Sequence, residues 1–223
     1  MNPGFGGFPP EGVAFLRALK KHNKREWFQP RKEIFDEKVK APMLELTTAV
    51  MQALADFAPR HVSDPNKAIF RIYRDTRFSK DKTPYKTHIA ASFPRRGGSK
   101  TSGFYFGVSS DEIEVGGGVY MPSPEDLRAI RGYLAHHHEE FRGIIAARDV
   151  KKLYGEMTGD TLTRTPKGFE QDHPAADLLR RKQFLFFRTL DVSLATTPKL
   201  YRELVKHFQA VTPFLDFLYR PVK

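Results

Sequence analysis

The sequence predicts an α+β fold in a single domain over residues 1–223: an antiparallel sheet of at least four strands, packed on one face by helices. Two patterns carry that expectation. Apolar residues recur at helical spacing before residue 60 and again after residue 123, whereas between 68 and 120 the apolar period drops to two. The chain is 40% hydrophobic and 28% charged, the composition of a globular protein long enough to bury its own core.

Residues 1–9, rich in Gly and Pro, read as a loose arm. A helix follows over about Pro10–Lys21, with Val13, Leu16 and Leu19 on one stripe. A second helical stretch starts near Pro30, a residue suited to a first helical position, and carries Ile34, Phe35, Leu44, Val50 and Leu54. Pro42 must kink or divide it, because its nitrogen has no proton to donate. Strands are predicted over 68–75, 85–93, 103–109 and 112–120, close enough in sequence for a meander. Strand parity places Phe70, Ile72, Ile89, Ala91, Phe104, Phe106, Val108, Ile113, Val115 and Val119 on the core face. The other face collects Arg71, Tyr73, Asp75, Lys86, His88, Ala90, Ser92, Tyr105, Gly107, Glu114, Gly116, Gly118 and Tyr120. Ser123-Pro124-Glu125-Asp126 is a helix start, with Ser123 as N-cap and acidic residues in the first turn, and that helix runs to about Ala147. Pro174–Lys182 reads as a short helix and Gln183–Leu190 as an apolar strand. Pro198–Tyr219 reads as a closing amphipathic helix containing Pro213.

The absence of cysteine excludes disulfides, a thiolate nucleophile and cysteine-bound metal. No apolar run approaches the roughly 18 to 20 residues that span a bilayer, and Met1–Pro10 lacks the features of a secretory leader. The expected location is the cytoplasm, with no membrane partner. The formal charge is +11, and ten Lys or Arg against two Asp between Lys67 and Lys100 supply +8 of it. Charge concentrated in one region points to an acidic partner, either a phosphorylated small molecule, a nucleic acid or an acidic protein. A solvated face that keeps the protein soluble is the bland alternative.

The run from Phe70 to Lys86 places arginines at 71, 74 and 77, followed by Lys80, Lys82 and Lys86 around Pro84. Guanidinium forks match phosphate or carboxylate, and lysines add mobile point charges. Asp75 and Asp81 offer the competing outcome, ion pairs that merely pin the turn. Gly116-Gly117-Gly118 lacks the spacing of a phosphate-binding loop. Together with Gly107 it instead predicts a bulge, or room for a ligand beside the positive charge. The helix start at Ser123 adds backbone donors, with Arg128 and Arg131 further along.

The predicted binding set is therefore Arg71, Arg77, Lys82, Lys86 and His88. Asp75, His88 and His173 are candidates for general acid or base, and Tyr73 and Tyr120 for proton donor. His136, His137 and His138 are successive helical residues about 100° apart, so they are expected on the surface and free of metal. Asp172-His173-Pro174 reads either as a helix cap or as a titratable pair. Trp27 and Phe28 read as a hydrophobic anchor between helices. No Ser-His-Asp order, HExxH pair, EF-hand or kinase signature is present, and the sequence names no cofactor.

Several segments together carry a resemblance: Asn23-Lys-Arg-Glu-Trp-Phe28, the Arg71–Lys86 run, Gly103-Phe104-Tyr105 ahead of Gly117-Gly118 and Tyr120–Pro122, and Asp172-His173-Pro174 with Leu178, Leu179 and Lys182. In these the chain resembles the domain of unknown function 2461 family, conserved hypothetical proteins of bacteria and fungi, over nearly its whole length. The resemblance implies no established activity, cofactor or catalytic residue. The leading expectation is a soluble protein that binds an anionic, phosphate-bearing ligand on a basic sheet face. The alternatives are an enzyme acting on a phosphorylated small molecule through the same anion site, and a nucleic-acid-binding module with a longer basic track and exposed aromatics.

Overall fold

The computed structural model describes residues 4–99 and 101–222. Lys100 of the basic segment and residues 1–3 of the predicted arm lie outside the described residues. Four antiparallel strands form one sheet in the order β1 (His88–Pro94), β2 (Ser102–Ser109), β3 (Glu112–Val119), β4 (Phe184–Asp191). The α+β class and the antiparallel sheet are as the sequence predicts, but the fourth strand is the one foreseen near 183–190 rather than 68–75. Among the described residues no helix is long and apolar enough to cross a membrane.

The chain groups into two compact units. The first comprises Met1–Ser92, Tyr105–Val115 and Thr189–Val205. It begins with α1 (Pro10–Lys21), whose bounds match the expectation, followed by α2 (Arg25–Phe28), a 3-10 turn, α3 (Lys32–Phe35), a π-helical turn (Asp36–Lys40), α4 (Ala41–Phe57) and α5 (Pro65–Ala68). Pro42 does divide the second helical stretch. Lacking an N–H, it leaves the Lys38 carbonyl without its helical donor, and that oxygen faces α1 where only Gly12 leaves room for it. The loose arm is corrected for residues 4–9. Phe5 and Phe8 are buried edge to face, and the Phe8 N–H donates to the Ala195 carbonyl at 2.8 Å. Two phenyl rings outweigh the flexibility that Gly and Pro suggest.

The segment 68–75 makes only two isolated bridges to the chain entering β1, Ile69 to Ala91 and Tyr73 to Tyr85. Four residue steps separate Ile69 from Tyr73 (73 − 69), but six separate Tyr85 from Ala91 (91 − 85), so the second chain carries two surplus residues. Backbone bonds from Lys86 N–H to Ile72 and from Phe70 N–H to Ala90 bracket that surplus at 87–89. A bulge of this kind breaks the ladder between the two chains, although an even surplus leaves the alternation of sides intact. The parity assignments hold for the buried Ile72, Ile89, Ala91, Phe104, Phe106, Val108, Ile113, Val115 and Val119, but fail for Phe70, which is 42% exposed.

The second unit comprises Phe93–Phe104, Gly116–Arg188 and Lys206–Lys223, of which the structure describes all but Lys100 and Lys223. It holds α6 (Pro124–Ile145), α7 (Arg148–Leu153), α8 (Ala176–Leu179) and most of α9 (Lys199–Tyr219). Ser123 caps α6 as predicted, its hydroxyl accepting from the Asp126 N–H at 3.0 Å. The core is aromatic: Phe141 meets Phe214 and Phe217, Phe186 meets Phe214, and Phe104 meets Phe208 at 4.8 Å.

Candidate functional site

The basic loop is anchored by a side chain that imitates a strand neighbour. The Asn23 amide donates to the Tyr85 carbonyl at 2.8 Å and accepts from the Tyr85 N–H at 3.0 Å, while the Tyr85 ring stacks on Phe28 with centroids 4.1 Å apart. Phe28 in turn packs against Phe15 and Phe35, which bears out its reading as a core anchor. Trp27 stays half-exposed, with the Arg31 guanidinium 4.8 Å above its ring.

From this anchor the cations of the run divide into two groups. Arg74 pairs with Asp81 and with the Thr83 hydroxyl, and Arg77 makes a two-pronged pair with Asp75. Lys82 donates to the Thr76 carbonyl at 2.9 Å. These contacts close the turn. They hold both carboxylates in the charged form: Asp81 is pulled down to about 2 by the Thr83 N–H and then by Arg74, and Asp75 is lowered first by Arg77. Asp75 is thus engaged as an ion-pair acceptor, and Arg77 and Lys82 have internal partners.

The second group is Arg71, Lys86 and His88, which form no ion pair within 4 Å among the described residues, although Arg71 lies near enough to Asp75 to help lower its pKa. The Lys86 ammonium lies 4.8 Å over the face of Phe70, and Phe70 approaches Tyr105 at 6.4 Å. Burial lowers the Lys86 pKa and repulsion from Arg71 lowers it further. The half-buried His88 belongs to the bulge, and its pKa is lowered by burial and then by Lys86. The three groups lie within electrostatic reach along one line of influence, Arg71 on Lys86 and Lys86 on His88.

Arg71 also borders a cleft of about 310 Å³ in the first unit. Phe35, Leu44, Ile69, Ile72 and Ile89 supply apolar walls, and Phe70 and Tyr73 present partly exposed rings. Lys32, Asp36 and Lys40 also line it, from α3 and the π-helical turn, with Lys32 and Asp36 paired to each other. Sequence reasoning missed this wall. The spacing of Lys32, Asp36 and Lys40, four residues apart each time, was the available signal, since it puts all three on one helical face.

The family profile for conserved hypothetical proteins designated DUF2461 matches residues 11–217. The chain belongs to the DUF2461 family. No curated protein matches it. The matched range contains Asn23, the whole basic run and the cleft, so these DUF2461 features are all part of the family domain.

The space expected beside Gly107 and the 116–118 glycines is taken up by the protein itself. The Tyr105 hydroxyl lies 2.8 Å from where a Gly107 Cβ would stand, and in the second unit the β4 backbone and the Phe187 ring occupy the position of a Gly116 side chain. Two further sequence candidates, Tyr120 and His173, belong to the second unit. Tyr120 is exposed, and His173 uses its Nδ1 to accept from the Ala175 N–H at 3.0 Å, holding the turn before α8. In the triple histidine, His136 and His137 are exposed, but His138 is corrected: it turns inward with an edge-on ring 6.0 Å from His173. Non-helical backbone at His137 rotates the following residue off the regular spiral.

Proposed function

We propose that this DUF2461 protein binds an anionic, phosphate-bearing ligand through Arg71, Lys86 and His88. The observation that carries the reading is selective pairing. The direct ion pairs of both carboxylates go to Arg74 and Arg77, while Arg71, only in longer-range reach of Asp75, and Lys86 repel each other. An arriving dianion relieves that repulsion and receives charge-assisted bonds from both groups, with the His88 imidazole as a third donor. Arg77 and Lys82, expected in the binding set, act in this reading by fixing the turn that presents the others.

The test is a thermal-shift screen of nucleotides, sugar phosphates, short RNA and short DNA against the wild type, Arg71→Ala and Lys86→Ala. A phosphate compound should stabilise the wild type, and each substitution should weaken its binding roughly 10- to 150-fold, the equivalent of about 1.5–3 kcal/mol for a charge-assisted contact. Absence of any stabilising anion contradicts the reading. A nucleic-acid interface is the second reading, favoured by the exposed rings of Phe70, Tyr73 and Phe78 among these cations. It predicts a steep dependence of log affinity on log salt, where a single pocket gives a shallow one.

A further inference from the structure

We infer that the ligand of this site carries a ring-sized apolar body next to its anionic group, and that the body occupies the cleft beside Arg71. The inference rests on the anion-binding reading and adds the chemical class of the ligand. A site for phosphate alone, or for a sugar phosphate, needs donors on every side, whereas this cleft is walled by Phe35, Leu44, Ile69, Ile72 and Ile89. Its volume of about 310 Å³ lies at the lower end of the roughly 300–1,000 Å³ typical of small-molecule sites, room for one fused ring system.

The charged lining residues are Arg71, Lys32, Asp36 and Lys40, with Asn66 as a further polar group, and Lys40 has no ion pair among the described residues. Lys32 is already held by Asp36. The partly exposed rings of Phe70 and Tyr73 lie along the segment that carries Arg71, so a flat ligand can stack on an aromatic face while its head group meets the guanidinium. Phe70 also sits beneath the Lys86 ammonium at 4.8 Å, which joins the apolar cleft to the cation cluster through one side chain. The π-helical turn contributes Asp36 and Lys40, and turns of this kind occur frequently at functional sites.

Calorimetric titration of 1-naphthyl phosphate, ribose 5-phosphate and inorganic phosphate into the wild type, Ile69→Trp and Lys40→Ala tests the inference. Naphthyl phosphate should bind the wild type about tenfold or more tightly than ribose 5-phosphate, because burial of its rings adds an apolar contribution. Ile69→Trp fills the cleft and should remove that advantage while leaving inorganic phosphate within about twofold of its wild-type affinity. Lys40 is exposed, so Lys40→Ala tests the same point without altering an apolar wall: it should weaken naphthyl phosphate several-fold, roughly the effect of one partly screened charge. If ribose 5-phosphate binds as well as naphthyl phosphate, or both variants bind naphthyl phosphate like the wild type, the apolar-body inference is wrong and the anion site stands. If none of the three compounds binds the wild type, the inference and the anion reading fail together.

Discussion

Replacing Asn23 by alanine should unfold the anchor of the basic run before any ligand is considered. Its amide satisfies both backbone groups of Tyr85, at 2.8 and 3.0 Å, and Tyr85 is 2% exposed. Leaving a buried donor or acceptor without a partner costs about 1–3 kcal/mol, so two of them should cost about 2–4 kcal/mol once some water reaches the half-buried site. That is a large share of the roughly 5–15 kcal/mol that holds a domain together. Asn23→Asp keeps the acceptor for the Tyr85 N–H but sets a carboxylate against its carbonyl, so its loss should approach that of alanine. Equilibrium urea unfolding measures both, with the slope checked for unchanged compactness. A loss below about 0.5 kcal/mol in Asn23→Ala, the level of an ordinary surface change, would refute the claim that this side chain anchors the run.

Arg74→Ala should loosen the 75–83 turn and raise its susceptibility to limited proteolysis, whereas Arg77→Ala should leave it nearly unchanged, since the Arg77 side chain is 77% exposed against 27% for Arg74. Asp81 has a folded pKa of about 2, below the ordinary value of 3.8, so its contribution to stability is complete above about pH 4 and is lost as pH falls toward 2. Asp81→Asn should flatten the acid limb of the stability profile over that window, as read by urea unfolding at several pH values. The His88 pKa is lowered in the folded protein, so stability should decline as pH falls through the ordinary histidine range. Binding of a phosphate compound should move the His88 titration upward, a shift that NMR of the imidazole protons detects and whose absence would separate His88 from the anion site.

Much of the fold was legible because it depends on short-range chemistry. Pro10 and Lys21 bound α1, Ser123 caps α6, and alternation in 103–109 and 112–119 marks a hairpin with Phe106 and Val115 inside. The segment 68–75 was misread because alternation describes a regular ladder, and two surplus residues near His88 break the register without leaving a pattern in the sequence. Phe70 shares its parity with the buried Ile72, yet it is exposed and bridges Lys86 to the cleft. The candidate cations were legible as a set. Which of them are free was not, because Asp75 and Asp81 each had several basic neighbours, and only three-dimensional geometry assigns them to Arg77 and Arg74. The cleft wall from Lys40 and Leu44 depends on the packing of a divided helix, a contact distant in sequence from Arg71.

The most direct measurement is calorimetric titration of the best phosphate compound from the screen into the wild type, Arg71→Ala, Lys86→Ala and Arg77→Ala, with urea unfolding of each to establish that the fold is intact. The account predicts that Arg71→Ala and Lys86→Ala keep wild-type stability and lose roughly tenfold or more in affinity, while Arg77→Ala, whose partner is Asp75, binds within a few-fold of the wild type. Equal affinity across all four proteins, or unfolding of the Arg71 and Lys86 variants, would mean that the run serves only to hold the chain together.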